Sequence, residues 1–133
     1  MNSLAPVLLL VLVGIVVVKF LKPSLPEGYE NLSAEEAHAR LEEIPGVAIL
    51  DVRTPTEFAE GHIAQARNID IYSSDFTSRL SKLNTSPSYL VYCRSGNRSV
   101  SALKRMKSLG FERVWNLSGG VSAWKGSGFT LVQ

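Results

Sequence analysis

The chain has 133 residues, 45% hydrophobic and 20% charged, which fits one globular domain with a sizeable core. Its formal net charge is +2, and Lys19 and Lys22 beside the apolar N-terminus supply that excess, because 12 basic and 12 acidic side chains balance from residue 23 onward. That balance excludes the net basic face of a nucleic-acid-binding domain, and a single cysteine excludes an intrachain disulfide framework or a Cys-rich zinc site.

The first segment, "MNSLAPVLLLVLVGIVVV", carries no charged side chain from Met1 to Val18. Eighteen helical residues span about 27 Å, close to the thickness of a bilayer core. Lys19 can snorkel, and Phe20 and Leu21 extend the apolar length. A cleaved export signal and a buried core helix are the alternatives; against the signal, no Lys or Arg precedes the run and "VVVKF" is a poor cleavage site. Residues 1–22 are therefore expected to form an N-terminal transmembrane anchor in contact with membrane lipid. Lys19 and Lys22 on its C-terminal flank place the following domain in the cytoplasm by the positive-inside rule.

"KPSLPEGYENL" reads as a linker over residues 23–30, with the compact domain running from 31 to 133. "SAEEAHARLEEI" opens on a capping box, Ser33 with Glu36, and predicts a helix stopping before Pro45-Gly46. "VAILDV" is a short apolar run and predicts a buried strand. "TPTEFAEGHI" has Thr54 as cap, Pro55 at the first helical position and Glu57 as box partner, so a short helix ends at Gly61. "ARNIDI" reads as a strand, and "SDFTSRLSKLN" as a helix capped by Ser74 or Asp75. "SYLVYC" predicts a strand, "SVSALKRMKSLGF" a helix starting near Ser99 and stopping at Gly110, and "RVWNL" a last strand. "GGVSAWKGSG" holds one short helix between glycines. Helices alternating with strands predict an α/β fold, its mostly parallel central sheet flanked by helices on both faces.

The loop "YCRSGNRS" holds the only cysteine. A strand leads into Cys93 and a helix leads away, with Gly96 permitting a tight turn. Such a loop can turn successive backbone N–H groups inward as a nest for an anion, and the following helix adds its positive N-terminal end. A thiolate in that nest is stabilised, so the Cys93 pKa is expected to fall. Arg94 and Arg98 add positive charge, which makes a nucleophilic cysteine without a histidine partner. Taken alone, a lone cysteine at a strand end is more often a small buried apolar residue. The polar, arginine-containing turn shifts that balance, because α/β sheets place ligands beyond the carboxyl ends of their strands.

"YCRSGNRS" resembles the active-site loop of a single-domain rhodanese, a sulfurtransferase. "ILDVRTPTEFAEGHIAQARNI" and "LGFERVWNLSGGVSAWKGSG" resemble further family segments, in order, so that the likeness covers roughly residues 30 to 130. "HIAQA" departs from it, since the family more often has Pro-Gly between Ile63 and Ala66. The resemblance implies a rhodanese-like fold and a thiosulfate sulfurtransferase-like activity. Cys93 would be the nucleophile that carries a persulfide, cradled by the backbone of Arg94, Ser95, Gly96, Asn97 and Arg98. Asp51 and Arg53, at the end of the neighbouring strand, would shape the pocket floor. Arg98 would close the loop against an acidic side chain or meet the substrate anion, and Arg94 would point to the pocket mouth. The donor would be a small sulfur-containing anion such as thiosulfate, and the acceptor cyanide or a thiol, including a protein thiol. No metal or organic cofactor is implied.

Cys93 to Arg98 is six residues, with arginine at Cys-x4-Arg. Relatives with phosphatase or arsenate-reductase activity carry one residue more, and here the later position is Ser99. A phosphatase-like enzyme of this fold and a non-catalytic partner-binding module are the competing readings. His62 is expected to have a structural or solvent role rather than a catalytic one, His38 to lie on the surface, and Trp115 and Trp124 to anchor the core.

Overall fold

A computed structural model describes residues 24–133, so the segment expected to be a membrane anchor, residues 1–22, lies outside the described residues. No helix among the described residues is long and apolar enough to cross a membrane.

The strands are β1 (Glu30–Leu32), β2 (Ala48–Asp51), β3 (Arg67–Asn68), β4 (Tyr89–Tyr92) and β5 (Val114–Leu117). The helices are α1 (Ala34–Glu43), α2 (Pro55–Glu60), α3 (Phe76–Ser81), α4 (Asn97–Ser108) and α5 (Gly120–Gly126). Both expected capping boxes form: Ser33 and Glu36 start α1, and Thr54 and Glu57 start α2 with Pro55 in its first turn. Each satisfies backbone N–H groups that a helix start leaves without partners.

All strands pair in parallel, in the order β1-β5-β4-β2-β3. Side chains alternate between the two faces along each strand. Leu50, Val91 and Val114 pack with Phe76 and Leu80 of α3 and with Leu103 and Met106 of α4. Ile49, Leu90 and Leu117 pack on the other side with Ala37 of α1 and Trp124 of α5. Both faces are covered, which explains why the central strands read as apolar runs rather than alternating ones. Each fully buried Leu, Val, Met or Phe contributes about 1.5–3 kcal/mol.

The strand order places the site. β2 leads through α2 to β3 on one side, whereas β4 leads through α4 to β5 on the other. The connections therefore part between the carboxyl ends of β2 and β4, the crevice where open α/β sheets take ligands. Asp51 and Tyr92 pair across that crevice, and Cys93 is the next residue.

The expected elements differ from the structure in particulars. β1 lies at the boundary of the stretch expected to be linker, held by three parallel pairings to Trp115–Leu117 that leave little local pattern. "ARNIDI" yields only two strand residues, although Ile69 and Ile71 donate to the carbonyls of Asp51 and Val52. α4 starts at Asn97 rather than near Ser99, so the end of the cysteine loop is already the first helical turn. Asp75 holds the cap position of α3 without a side-chain cap bond; Ser73 Oγ engages its carboxylate instead. His38 is half-buried rather than on the surface, its ring stacked on Phe129 with centroids 4.1 Å apart.

Candidate active site

β4 is buried along its whole length and delivers Cys93 to the carboxyl end of the sheet. The Cys93 side chain packs in the same cluster as Leu103 and Met106, and the residue is only 1% exposed. The chain then turns through Arg94 and Ser95, both exposed, to Gly96 at φ 111°, a left-handed conformation that glycine adopts without strain. That turn brings the Gly96 N–H back to Cys93 Sγ at 3.1 Å. The thiol lies 3.5 Å from Ser99 Oγ, and the Ser99 hydroxyl donates to the Gly96 carbonyl at 3.0 Å.

These contacts set the sulfur's electrostatics. Burial pushes the Cys93 thiol up, but hydrogen bonding from the Ser99 side chain and from the backbone of Ser99, Gly96 and Ser95 outweighs it. The net shift is downward from an ordinary thiol, toward a larger thiolate population.

Two ion pairs frame the loop. Arg98 grips Glu57 with two nearly parallel bonds, 2.7 Å to Oε1 and 2.8 Å to Oε2, tying the first turn of α4 to the first turn of α2. The Arg98 hydrogen bond is the largest influence on Glu57 and holds its carboxyl at about 2, against the opposing effect of burial. Glu57 reciprocally raises Arg98, and the nearby Cys93 charge acts in the same direction. Beneath, Arg53 and Asp51 form a buried pair at 2.7 Å, and Arg53 also donates to the Gly61 carbonyl at 2.6 Å. Burial works against the Arg53 charge, but its bonding to Asp51 more than restores it. Arg53 additionally lies 5.6 Å over the Tyr92 ring, whose hydroxyl accepts from the Ile63 N–H at 3.1 Å.

α5 closes the back of the loop. The Val121 N–H donates to the Cys93 carbonyl at 2.9 Å and the Ser122 N–H to the Arg94 carbonyl at 3.1 Å. Gly120 makes that approach possible: a Cβ there would meet the Cys93 carbonyl oxygen and sit 2.6 Å from the Arg94 carbonyl carbon. Along this flank opens a cavity of about 320 Å³, lined by Arg53, Glu57, Glu60, Arg94, Ser122 and Lys125 together with the apolar Val121 and Leu131. A larger cavity, about 520 Å³, lies by Val47, Ile49 and Phe129 and takes in no loop residue. Among the described residues, no group of three or more His, Cys, Asp or Glu could hold a metal ion.

Comparison with known proteins adds the family. The Rhodanese-like domain profile matches residues 33–127, which spans the cysteine loop and α1 to α5. The chain belongs to the rhodanese-like family. Among rhodanese relatives, a sulfurtransferase of Allochromatium vinosum is 34% identical over 102 residues, covering 77% of this chain and 94% of that protein. The thiosulfate sulfurtransferase GlpE of Stutzerimonas stutzeri is 33% identical over 98 residues, covering 73% and 85%. A crystal structure of a rhodanese-related protein from Thermoplasma volcanium superposes with a TM-score of 0.69 at 30% identity, covering 78% of this chain and 98% of that one.

Within this rhodanese frame, all eight residues singled out in the sequence fall at the crevice. Cys93 to Arg98 form the loop, and Asp51 and Arg53 lie beneath it rather than open to solvent, 0% and 5% exposed. Arg94 lines the cavity beside the loop. Sequence reasoning had Glu57 only as a capping residue and did not single out Ser99, Gly120 or Lys125. Ser99 was legible as the hydroxyl that directly follows the six-residue loop, and Gly120 as half of the Gly-Gly pair. The Glu57–Arg98 pair spans 41 residues and had no local signal. Trp115 and Trp124 are core residues as expected, and His62 is held by the Phe58 carbonyl at 2.9 Å and by stacking on the Phe58 ring.

Proposed function

We propose that this chain is a sulfurtransferase that carries sulfane sulfur as a persulfide on Cys93. The observation that carries the reading is the geometry at a thiol that is 1% exposed. The Gly96 N–H meets its sulfur at 3.1 Å and Ser99 Oγ lies 3.5 Å away, contacts that outweigh burial and lower it from an ordinary thiol. Burial alone would have made Cys93 an inert core thiol. In the first half-reaction the Cys93 thiolate attacks the outer sulfur of a donor such as thiosulfate. The donor S–S bond breaks, sulfite leaves with its electron pair, and the persulfide remains. On ionisation the Ser99 hydroxyl turns its hydrogen from the Gly96 carbonyl to the sulfur, joining the Gly96 N–H. The Gly96 N–H, which already meets Cys93 Sγ, and the neighbouring backbone N–H groups of residues 94–98 would receive the terminal sulfur, and Arg98, fixed by Glu57, holds the loop closed around it. In the second half-reaction cyanide or a thiol attacks that sulfur, and Cys93 returns to thiolate.

The six-residue ring supports sulfur over phosphate, because a tetrahedral phosphoryl group needs a wider ring of donors than one sulfur atom does. The test is steady-state thiocyanate production from thiosulfate and cyanide on the full chain. Parallel double-reciprocal lines, with no turnover of aryl phosphates or arsenate, are the expected result. Intersecting lines, or turnover of phosphate esters without thiocyanate, would overturn the reading.

The apolar segment 1–22 supports a second element of the proposal, a single N-terminal anchor that keeps the domain at the cytoplasmic membrane face. Carbonate-resistant membrane association, with the domain digested by protease only after the cytoplasmic side is opened, is expected. Release of a mature chain lacking the segment would instead mark a cleaved export signal.

A further inference from the structure

Charges that balance over the domain as a whole are divided between its two helical layers. The chain carries no Asp or Glu from Phe76 to Phe111, the stretch that contains α3 and α4. Arg79, Lys82, Lys104, Arg105 and Lys107 stand exposed on these helices or at their ends, and none forms an ion pair among the described residues. The Arg105 guanidinium donates to Thr77 Oγ1 at 2.8 Å, so the two helices adjoin and their cations share one face. Beside α3, Arg67, Arg79 and Lys82 line a cavity of about 380 Å³ with the apolar Ile69 and Leu83 and no acid. The opposite layer is the reverse. α1 exposes Glu35, Glu36, Glu42 and Glu43, and its arginine, Arg40, is held by Glu30.

The polypeptide enters the domain on the basic side. Leu25 packs against the cluster that α3 and α4 cover, and the Lys107 ammonium donates to the Glu27 carbonyl at 2.9 Å. Part of the stretch expected to be linker is therefore fixed against the C-terminal end of α4. From Lys22, the last residue of the expected anchor, to Leu25 is three residue steps, at most about 11 Å of extended chain. A bilayer holding residues 1–22 would then lie about one Debye length from the basic face, close enough for its lipid charges to act there.

We propose that the α3–α4 face docks on anionic phospholipid, with lipid phosphates as counter-ions to its cations. The proposal rests on the membrane anchor put forward above and adds the orientation of the domain at that membrane, α4 against the headgroups and α1 toward water. Each basic side chain near an anionic leaflet strengthens association about fivefold, so several together hold an orientation that a single tether leaves free. α4 begins in the cysteine loop, so this orientation also sets how far Cys93 stands from the bilayer.

The test uses the full chain reconstituted into bilayers of phosphatidylcholine alone or of phosphatidylcholine with phosphatidylglycerol. Mass spectrometry reads the acetylation rate of each lysine. Lys125 lies on α5, in the opposite layer, and serves as the internal reference. Relative to it, Lys82, Lys104 and Lys107 are expected to react several-fold more slowly in the anionic bilayer. They should recover in molar salt, where the screening length falls to about 3 Å. Lys82→Gln together with Lys104→Gln should raise the reactivity of Lys107 in the anionic bilayer, because two of the contacts holding the face are gone. Equal relative rates in the two bilayers, or a slowing that molar salt leaves in place, overturn the docking face. Capture of duplex DNA at physiological salt by chains whose lysines ignore phosphatidylglycerol overturns it too, and gives the face to another polyanion. If residues 1–22 prove to be a cleaved signal, the anchor reading fails by itself. The mature chain should then still sediment with phosphatidylglycerol vesicles and not with phosphatidylcholine ones, and a mature chain that sediments with neither overturns the face as well.

Discussion

Replacing Gly120 by alanine puts the packing of α5 against the cysteine loop to a direct test. The residue sits at φ 57°, where any side chain is strained by about 1 kcal/mol. The added Cβ would stand 2.6 Å from the Arg94 carbonyl carbon, where carbon atoms pack comfortably near ~3.5 Å. Loop or helix must therefore yield by about 0.9 Å, the difference between those distances. The obstacle is backbone, so no side chain can swing aside. Overpacking of this kind costs roughly 1–3 kcal/mol, which with the backbone strain gives about 2–4 kcal/mol in all. The Val121 and Ser122 N–H bonds to the loop carbonyls stretch with the displacement. A shift approaching 1 Å at the nucleophile lowers rate by about 10²-fold. Urea unfolding and the single-turnover rate of sulfur loading read the two effects. A Gly120→Ala chain with the original denaturation midpoint and the original loading rate would refute the claim that α5 sets the loop's position.

Three further substitutions probe the surrounding contacts. Ser99→Ala removes the hydroxyl that lowers the Cys93 thiol, so sulfur loading near neutral pH should slow about fivefold, the worth of one ~1 kcal/mol hydrogen bond, and recover as pH rises; a pH–rate profile superimposable on the original would contradict this. Arg98→Ala frees Glu57, whose folded value of about 2 lies below the ordinary ~4.3, so its stabilising contribution is full above about pH 4.3 and disappears as pH falls toward 2. Both side chains are about one-fifth exposed, so solvent screening limits the pair to about 1 kcal/mol, and acid titration of stability should be flatter between pH 4.3 and 2 in the variant. Asp51→Ala strands the Arg53 charge at 5% exposure, with an expected loss of about 3–5 kcal/mol by urea unfolding; a loss under 1 kcal/mol would mean that the Gly61 carbonyl alone suffices for Arg53.

How much of this was legible in the sequence follows from range. The two capping boxes span three residues each and were readable, because the groups that meet are close along the chain. β2, β4 and β5 were readable because burial on both faces makes them apolar runs. The cysteine loop was readable because its turn, its charges and its helix are contiguous. β1 was hidden because three residues at a sheet edge are defined by their pairing with β5, not by their own pattern. His38 looked like one more polar residue of α1, and only the return of the C-terminal chain brings Phe129 onto its ring. Arg98 had two acceptable partners, an acid or the substrate, and the fold selected Glu57 from 41 residues away. The charges facing the cavity come from α2, the loop and α5, which no spacing rule connects.

The claim at the centre of this account is that Cys93 itself holds the transferred sulfur. Intact-protein mass spectrometry after mixing the full chain with thiosulfate, without reductant and beside a Cys93→Ser control, tests it most directly. The account predicts a gain of one sulfur atom that cyanide removes and that the control never acquires. A folded chain that gains nothing from thiosulfate or any other sulfane donor, or a Cys93→Ser chain that gains the same sulfur, would contradict it.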